Sequence, residues 1–243
     1  MLSSQPQLKN NFRNNLKNYW QSRKSLLALI SENQSVWWVA AFLVSVPVFF
    51  QAPMVRFFPW LSLIMTVGWL AFADRLLEHP KRQTWGSLTW GFSLTWLCGS
   101  IYWGWLRDLP LWHLPIEALA LPWAIWAILK QPQYRVGGWF YLGSLLGTSI
   151  TDLYFWLTGL IPHWQAIVRV ETDILAVQAI LQTAIGQIQT GWGIGSALVL
   201  ATVLLVLGVR AIRSAETHHW AFSGAVLSTL LVDGLFGLVC ALS

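Results

Sequence analysis

Apolar residues in this chain come in long runs, broken at intervals by short clusters of proline and charged residues. A bilayer core of about 30 Å takes about 20 apolar residues of helix, with about 17 as a working minimum. The first run covers Val36 to Gln51 and the second Phe57 to Ala73, joined by a short turn containing Pro53, Arg56 and Pro59. The third extends from Thr84 to Leu106, and Trp85, Trp90, Trp103 and Trp105 weight its ends as an interfacial aromatic belt does. A fourth, from Leu111 to Leu129, carries His113, Pro115, Glu117 and Pro122 and is the least regular. The fifth is Gly137 to Leu160, the sixth Gly191 to Val209 and the seventh Trp220 to Leu242. The pattern predicts an all-α, seven-span transmembrane helical bundle over residues 36–243.

Two further segments are amphipathic rather than continuously apolar. Within residues 1–35, Leu8, Phe12, Leu16 and Trp20 recur every fourth position, followed by Leu27 and Ile30, with Lys and Asn between them. This predicts a basic helix lying on the cytoplasmic membrane surface, the alternative being a disordered basic tail. Between the fifth and sixth runs, Ile174, Val177, Leu181, Ala184, Ile185 and Ile188 fall on one helical face, with Gln178, Gln182 and Gln189 elsewhere. That segment is too polar to span, so it is expected to lie on the outer interface or to cover the mouth of the bundle.

Composition supports the membrane reading. Of 243 residues, 56% are hydrophobic and only 10% charged, against about a quarter charged in a soluble domain. An ordinary water-soluble globule is excluded. Lys and Arg gather in cytoplasmic loops, so they also orient the bundle. With seven spans and an inside N-terminus, all of the 15 Lys and Arg except Arg56, Arg107 and Arg169 fall inside. Omitting the irregular fourth run moves Lys130, Arg135, Arg210 and Arg213 outside and spoils that asymmetry, so N-in/C-out with seven spans is expected. The net charge of +5 is concentrated before the first apolar run, where it suits anionic lipid headgroups better than nucleic acid. A cleavable signal peptide is not expected, because the first apolar run starts only near Val36. Cys98 and Cys240 sit within apolar runs and read as small packing residues.

Ionisable groups inside spans are costly and by default mark a pathway or site. There are three such acids, Glu117, Asp152 and Asp233. At about 1.5 Å per residue they lie roughly 9, 12 and 13 Å from the outer ends of their helices, which puts them in one layer in the outer half of the membrane. No Lys or Arg is expected at that depth, although Arg107 is within reach from the outer loop. Residues four apart share a helix face, so Ser144, Thr148 and Asp152 form one stripe and Ala225, Thr229, Asp233 and Gly237 another. Each aspartate thus has a threonine one turn before it. Gly143 and Gly147 add a GxxxG pair on an adjacent face.

Such a layer has two physical solutions: protonated carboxyls acting as interhelical fasteners, or ionised carboxyls holding a cation or exchanging protons. His113 and Glu117, four apart, are candidates to share a metal with Asp152, but Pro115 disturbs their spacing. No cofactor is specified. A retinal Schiff base lacks its buried Lys, bis-histidine haem lacks two facing His, and a single chlorophyll on His113 stays open. No phosphate loop, nucleophile elbow or HExxH occurs.

The segments GSLLGTSITDLYFWLTGLIPHW, from Gly143 to Trp164, and LWHLPIEALALPWAIW, from Leu111 to Trp126, resemble an uncharacterised family of polytopic membrane proteins found in cyanobacteria. The resemblance covers most of the chain after about Val36. It implies a photosynthetic host and a thylakoid or plasma membrane, and it carries no activity with it. His113, Glu117 and Asp152 lie within the recognisable segments, whereas Asp233 lies outside them and stands on the physical argument alone. The leading functional expectation is a small permease or cation/proton-linked transporter, with Glu117, Asp152, Asp233, Thr148 and Thr229 at the binding or relay layer and His113 as a gate. The alternative is a non-catalytic accessory or assembly factor docked on a photosynthetic membrane complex.

Overall fold

A computed structural model describes residues 31–242. The expected basic surface helix within residues 1–35 therefore lies almost wholly outside the described residues. The described chain is helical throughout its length, with short turns between elements. Helix α1 spans Ser31–Phe57, α2 Pro59–Leu77 and α3 Gln83–Ile101. Helix α4 covers Pro110–Lys130, α5 Arg135–Leu157, α6 Ile161–Arg169 and α7 Ile174–Ile188. Helices α8, Gly191–Ile212, and α9, Thr217–Leu242, complete the fold.

Prolines set several of these boundaries, and not always where expected. The first turn falls at Phe58 instead of around Pro53, so α1 runs on to Phe57. Pro53 sits in the first turn of the helical segment that follows a π-turn at Pro47–Gln51, where a missing N–H costs little. Pro59 instead drives the preceding residue out of the helical region, and Phe58 takes φ −134° and ψ 59°. In α4 the prolines segment the helix: a 3₁₀ turn at Pro110–Trp112, a short α-helix His113–Glu117, a second 3₁₀ turn Ala118–Ala120, and then Leu121–Lys130. The described chain is already helical at Ser31, five residues before the first apolar run expected from the sequence.

Among the described residues four helices, α1, α2, α4 and α8, are long and apolar enough to cross a membrane. Helices α3 and α5, with 19 and 23 residues, have the length, but Gly, Ser, Thr and Trp dilute their apolar content. That dilution has a packing reason. Helix α3 packs on α2 and α5, and α5 packs on α9. A Cβ added at Gly137 would overlap the Ser87 carbonyl, and one at Gly91 would overlap the Gly137 backbone. Small residues thus let α3 and α5 approach to backbone contact, as membrane helices do when apolar burial offers little drive. The Gly137 amide also donates to Ser87 Oγ at 2.9 Å. The aromatic core of Phe92, Trp96 and Phe140 sits beside this seam, with Trp69 edge-on to both Phe92 and Trp96.

Contacts pin the helices at two ends of the bundle. At one end Glu32 accepts from Thr84 Oγ1 at 3.0 Å and Asn33 Nδ2 donates to the Ala215 carbonyl at 3.3 Å. Trp90 meets Tyr134, and Trp139 meets His218 and His219, at that same end. At the other end Arg56 and Arg107 meet Glu171, and Trp192 Nε1 donates to the Leu157 carbonyl at 2.8 Å. The amphipathic segment between the fifth and sixth apolar runs forms α7, with Val177, Leu181, Ala184, Ile185 and Ile188 turned inward and Ile174 exposed. Asp173 caps it, accepting from the Ala176 amide at 3.1 Å. The short helix α6 before it was not apparent from the sequence pattern.

Candidate functional site

The three expected acids line one cavity of about 600 Å³. Six elements build it, α1 among them through Val44, Pro47 and Val48. Helix α5 supplies Thr148, Thr151 and Asp152, and α9 supplies Thr229 and Asp233. The short helical segment of α4 contributes His113 and Glu117, and α6 contributes Trp164. The end of α3 winds into a π-turn, Tyr102–Leu106, and both Tyr102 and Trp103 reach the cavity from it. A π-turn adds one residue to a helical turn and re-aims the side chains around it, and such turns recur at functional sites.

Burial grades the acids. Asp233 is exposed, Asp152 keeps 28% of its side chain exposed, and Glu117 is only 9% exposed. His113 Nδ1 donates to Asp152 Oδ1 at 2.8 Å, and its ring stacks on Tyr102 with centroids 4.2 Å apart. Thr151 Oγ1 donates to Asp233 Oδ2 at 2.7 Å. Among the described residues the Glu117 carboxylate has no hydrogen-bond partner, whereas its backbone carbonyl accepts from the Tyr141 hydroxyl. No Lys or Arg side chain lines the cavity among the described residues.

All six sequence-selected residues, His113, Glu117, Thr148, Asp152, Thr229 and Asp233, therefore border the same space. Their local partners differ from the stripes expected. Thr229 packs against Gly147 and donates to its own helix at the Ala225 carbonyl, at 3.3 Å, so the partner of Asp233 is Thr151 on the neighbouring helix. Arg107 does not reach down to the acids; its guanidinium binds Glu171 at 2.9 Å, and Arg56 meets the same carboxylate at 3.5 Å. Among the described residues no group of three His, Cys, Asp or Glu is placed to hold a metal ion, which removes the joint His113, Glu117 and Asp152 ligand set. His113 and Asp152 are instead partners of each other.

Sequence reasoning missed Tyr102, Trp103, Thr151 and Trp164. The first two lie on a π-turn, which leaves no mark in the spacing of apolar residues. Trp164 belongs to the unforeseen helix α6, where its Nε1 donates to the Arg107 carbonyl at 3.0 Å. Only Thr151, beside Asp152 in the sequence, offered a signal, and the one-turn spacing rule passed over it.

Long apolar helices with a Gly- and Ser-rich interior, and acids graded from exposed to buried around one cavity, make this a helical membrane protein. Within that class, the chain belongs to the family described as Protein of unknown function (DUF3120), whose match spans residues 40–241. No curated protein and no solved structure matches the chain.

Proposed function

We propose that the chain is a small permease or cation/proton-linked transporter, and that the cavity holding Glu117, Asp152 and Asp233 is where the cation or proton binds. The observation that carries this reading is the grading of the three carboxyls, from exposed Asp233 to buried Glu117, around one space that no Lys or Arg lines. Buried carboxyls without a fixed counter-charge bind cations or protons readily, because the alternative is an unpaired charge in a low-dielectric interior. His113 hydrogen-bonds Asp152 within the same cavity and acts as the gate or proton relay of the site.

In this reading α1, α2, α3, α4, α5, α8 and α9 are the seven spans, and residues 1–35 are a basic cytoplasmic segment preceding the bundle. The helix ends support the alternation. Glu32, Thr84, Tyr134 and Ala215 belong to contacts at one end, and Arg56, Arg107 and Glu171 to a cluster at the other. The first end also carries most of the loop Lys and Arg, which makes it the cytoplasmic one. The accessory-factor reading gains no observation of its own, since exposed Trp side chains such as Trp38, Trp60, Trp123, Trp156 and Trp192 are spread over five helices.

The test is uptake by the purified chain in proteoliposomes under an imposed cation or pH gradient. Asp152→Asn and Asp233→Asn are expected to abolish uptake while leaving membrane insertion and helicity intact. Uptake by the neutral variants equal to that of the parent would reject the proposal.

A further inference from the structure

We propose that the cavity takes an organic cation, an ammonium carried on an apolar body, in preference to a bare inorganic ion. The inference rests on reading the cavity as a cation site and names the class of cation. A space of about 600 Å³ falls in the range of small-molecule sites and far exceeds what one dehydrated metal ion or a proton needs. Its wall is divided. Carboxylates occupy part of it, and aromatic and aliphatic groups, including Tyr102, Trp103, Phe155 and Trp164, occupy much of the rest.

Two features of the aromatic part point to a charged guest. Trp103 and Trp164 meet edge to face with centroids 5.7 Å apart, a fixed corner of two indoles from different elements. The Trp164 N–H is held by the Arg107 carbonyl at 3.0 Å, which orients that ring. Ring faces carry negative electrostatic potential and attract a cation within about 6 Å of the centroid. In the same cavity, the Glu117 side chain is nine-tenths buried and its carboxylate lacks a protein hydrogen-bond donor among the described residues. A buried anion with no donor is costly, and a ligand that brings a positive charge removes that cost. Divalent ions favour several carboxylate or imidazole ligands at close range, and among the described residues no three His, Cys, Asp or Glu side chains are grouped to supply them. A quaternary ammonium needs no such cage, only diffuse negative potential and apolar contact.

The experiment measures binding to the full chain in nanodiscs by intrinsic Trp fluorescence. The probes are benzyltrimethylammonium, its neutral carbon isostere neopentylbenzene, and potassium. The quaternary ion is expected to saturate a single site, with neither of the other two displacing it. Trp103→Leu is expected to weaken binding by about 3- to 10-fold and Glu117→Gln by about 10-fold or more. Thermal melts of both variants establish that they are folded, and Trp103→Phe, which keeps a ring face, restores part of the affinity if the variant effect is cation–π in origin. Equal binding of neopentylbenzene, or unchanged affinity in both folded variants, would overturn the inference. Carboxyl-dependent uptake of potassium or protons without quaternary-ammonium binding would also overturn it and leave the transport reading standing. Absence of any carboxyl-dependent cation binding or uptake would remove both.

Discussion

Gly147 shows how much one missing methyl group can decide. A Cβ built there would overlap the Thr229 hydroxyl, and one at Gly143 would lie 2.7 Å from the Phe222 carbonyl oxygen, so the α5–α9 contact beneath the cavity has no slack. Gly147→Val is expected to lower stability by about 1–3 kcal/mol, the usual cost of overpacking. Gly186→Ala, where nothing lies within 4 Å, is expected to be neutral or slightly stabilising. Thermal unfolding of the two variants in one detergent provides the comparison. At this scale the sequence was informative about identity but weak on pairing. The acids and the GxxxG glycines were visible as residue types in a pattern, whereas the Thr151–Asp233 bond depends on how α5 is rotated against α9, which no spacing rule within one helix encodes.

Helices α1, α2 and α3 meet around Gln51, a fully buried amide at the end of a π-turn. Its Nε2 donates to the Trp96 carbonyl at 2.6 Å and Ser100 Oγ at 2.8 Å, while Ser62 and Ser100 share a hydrogen bond of 2.7 Å. Among the described residues its Oε1 has no partner, and it lies against Gly99, where a Cβ would come within 2.7 Å of it. The amide therefore fills space and ties three elements together, but only half of it is satisfied. Gln51→Ala is expected to cost about 2–4 kcal/mol, since it leaves a void. Gln51→Met, which restores volume and removes the unpaired oxygen, should stay within about 1 kcal/mol of the parent. Denaturation midpoints of the two variants distinguish volume from hydrogen bonding. The existence of the long helices was plain from their apolar runs, and Pro115 and Pro122 signalled that α4 would be irregular. Less legible was the α1–α2 boundary, because two prolines six residues apart have opposite effects according to their position in the helix. The π-turns at Pro47–Gln51 and Tyr102–Leu106 were not legible, since one inserted residue per turn leaves the apolar run unbroken.

For the molecule as a whole, alternation of the helices between two ends leads to a labelling experiment. In a variant with Cys98 and Cys240 replaced, a single cysteine at Lys81 or Gln131 should react with a membrane-impermeant maleimide only from the cytoplasmic side. Cysteines at Asp108 or Thr172 should react only from the opposite side. Lys81 and Asp108 labelling from the same face would break the proposed seven-span order. Loop charge is the sequence feature from which that proposed order is argued, because each added or removed span carries every later Lys and Arg across the membrane. The closure at the Glu171 end was not readable. One carboxylate between two guanidiniums, each about a third exposed, joins the loop after α6 to the ends of α1 and α3. A clasp of that kind holds by Coulomb attraction in partial contact with water, so added electrolyte weakens it while the glycine seams below stay closed. The proposed exchange of a cation through that end is therefore expected to depend on ionic strength on that side of the membrane.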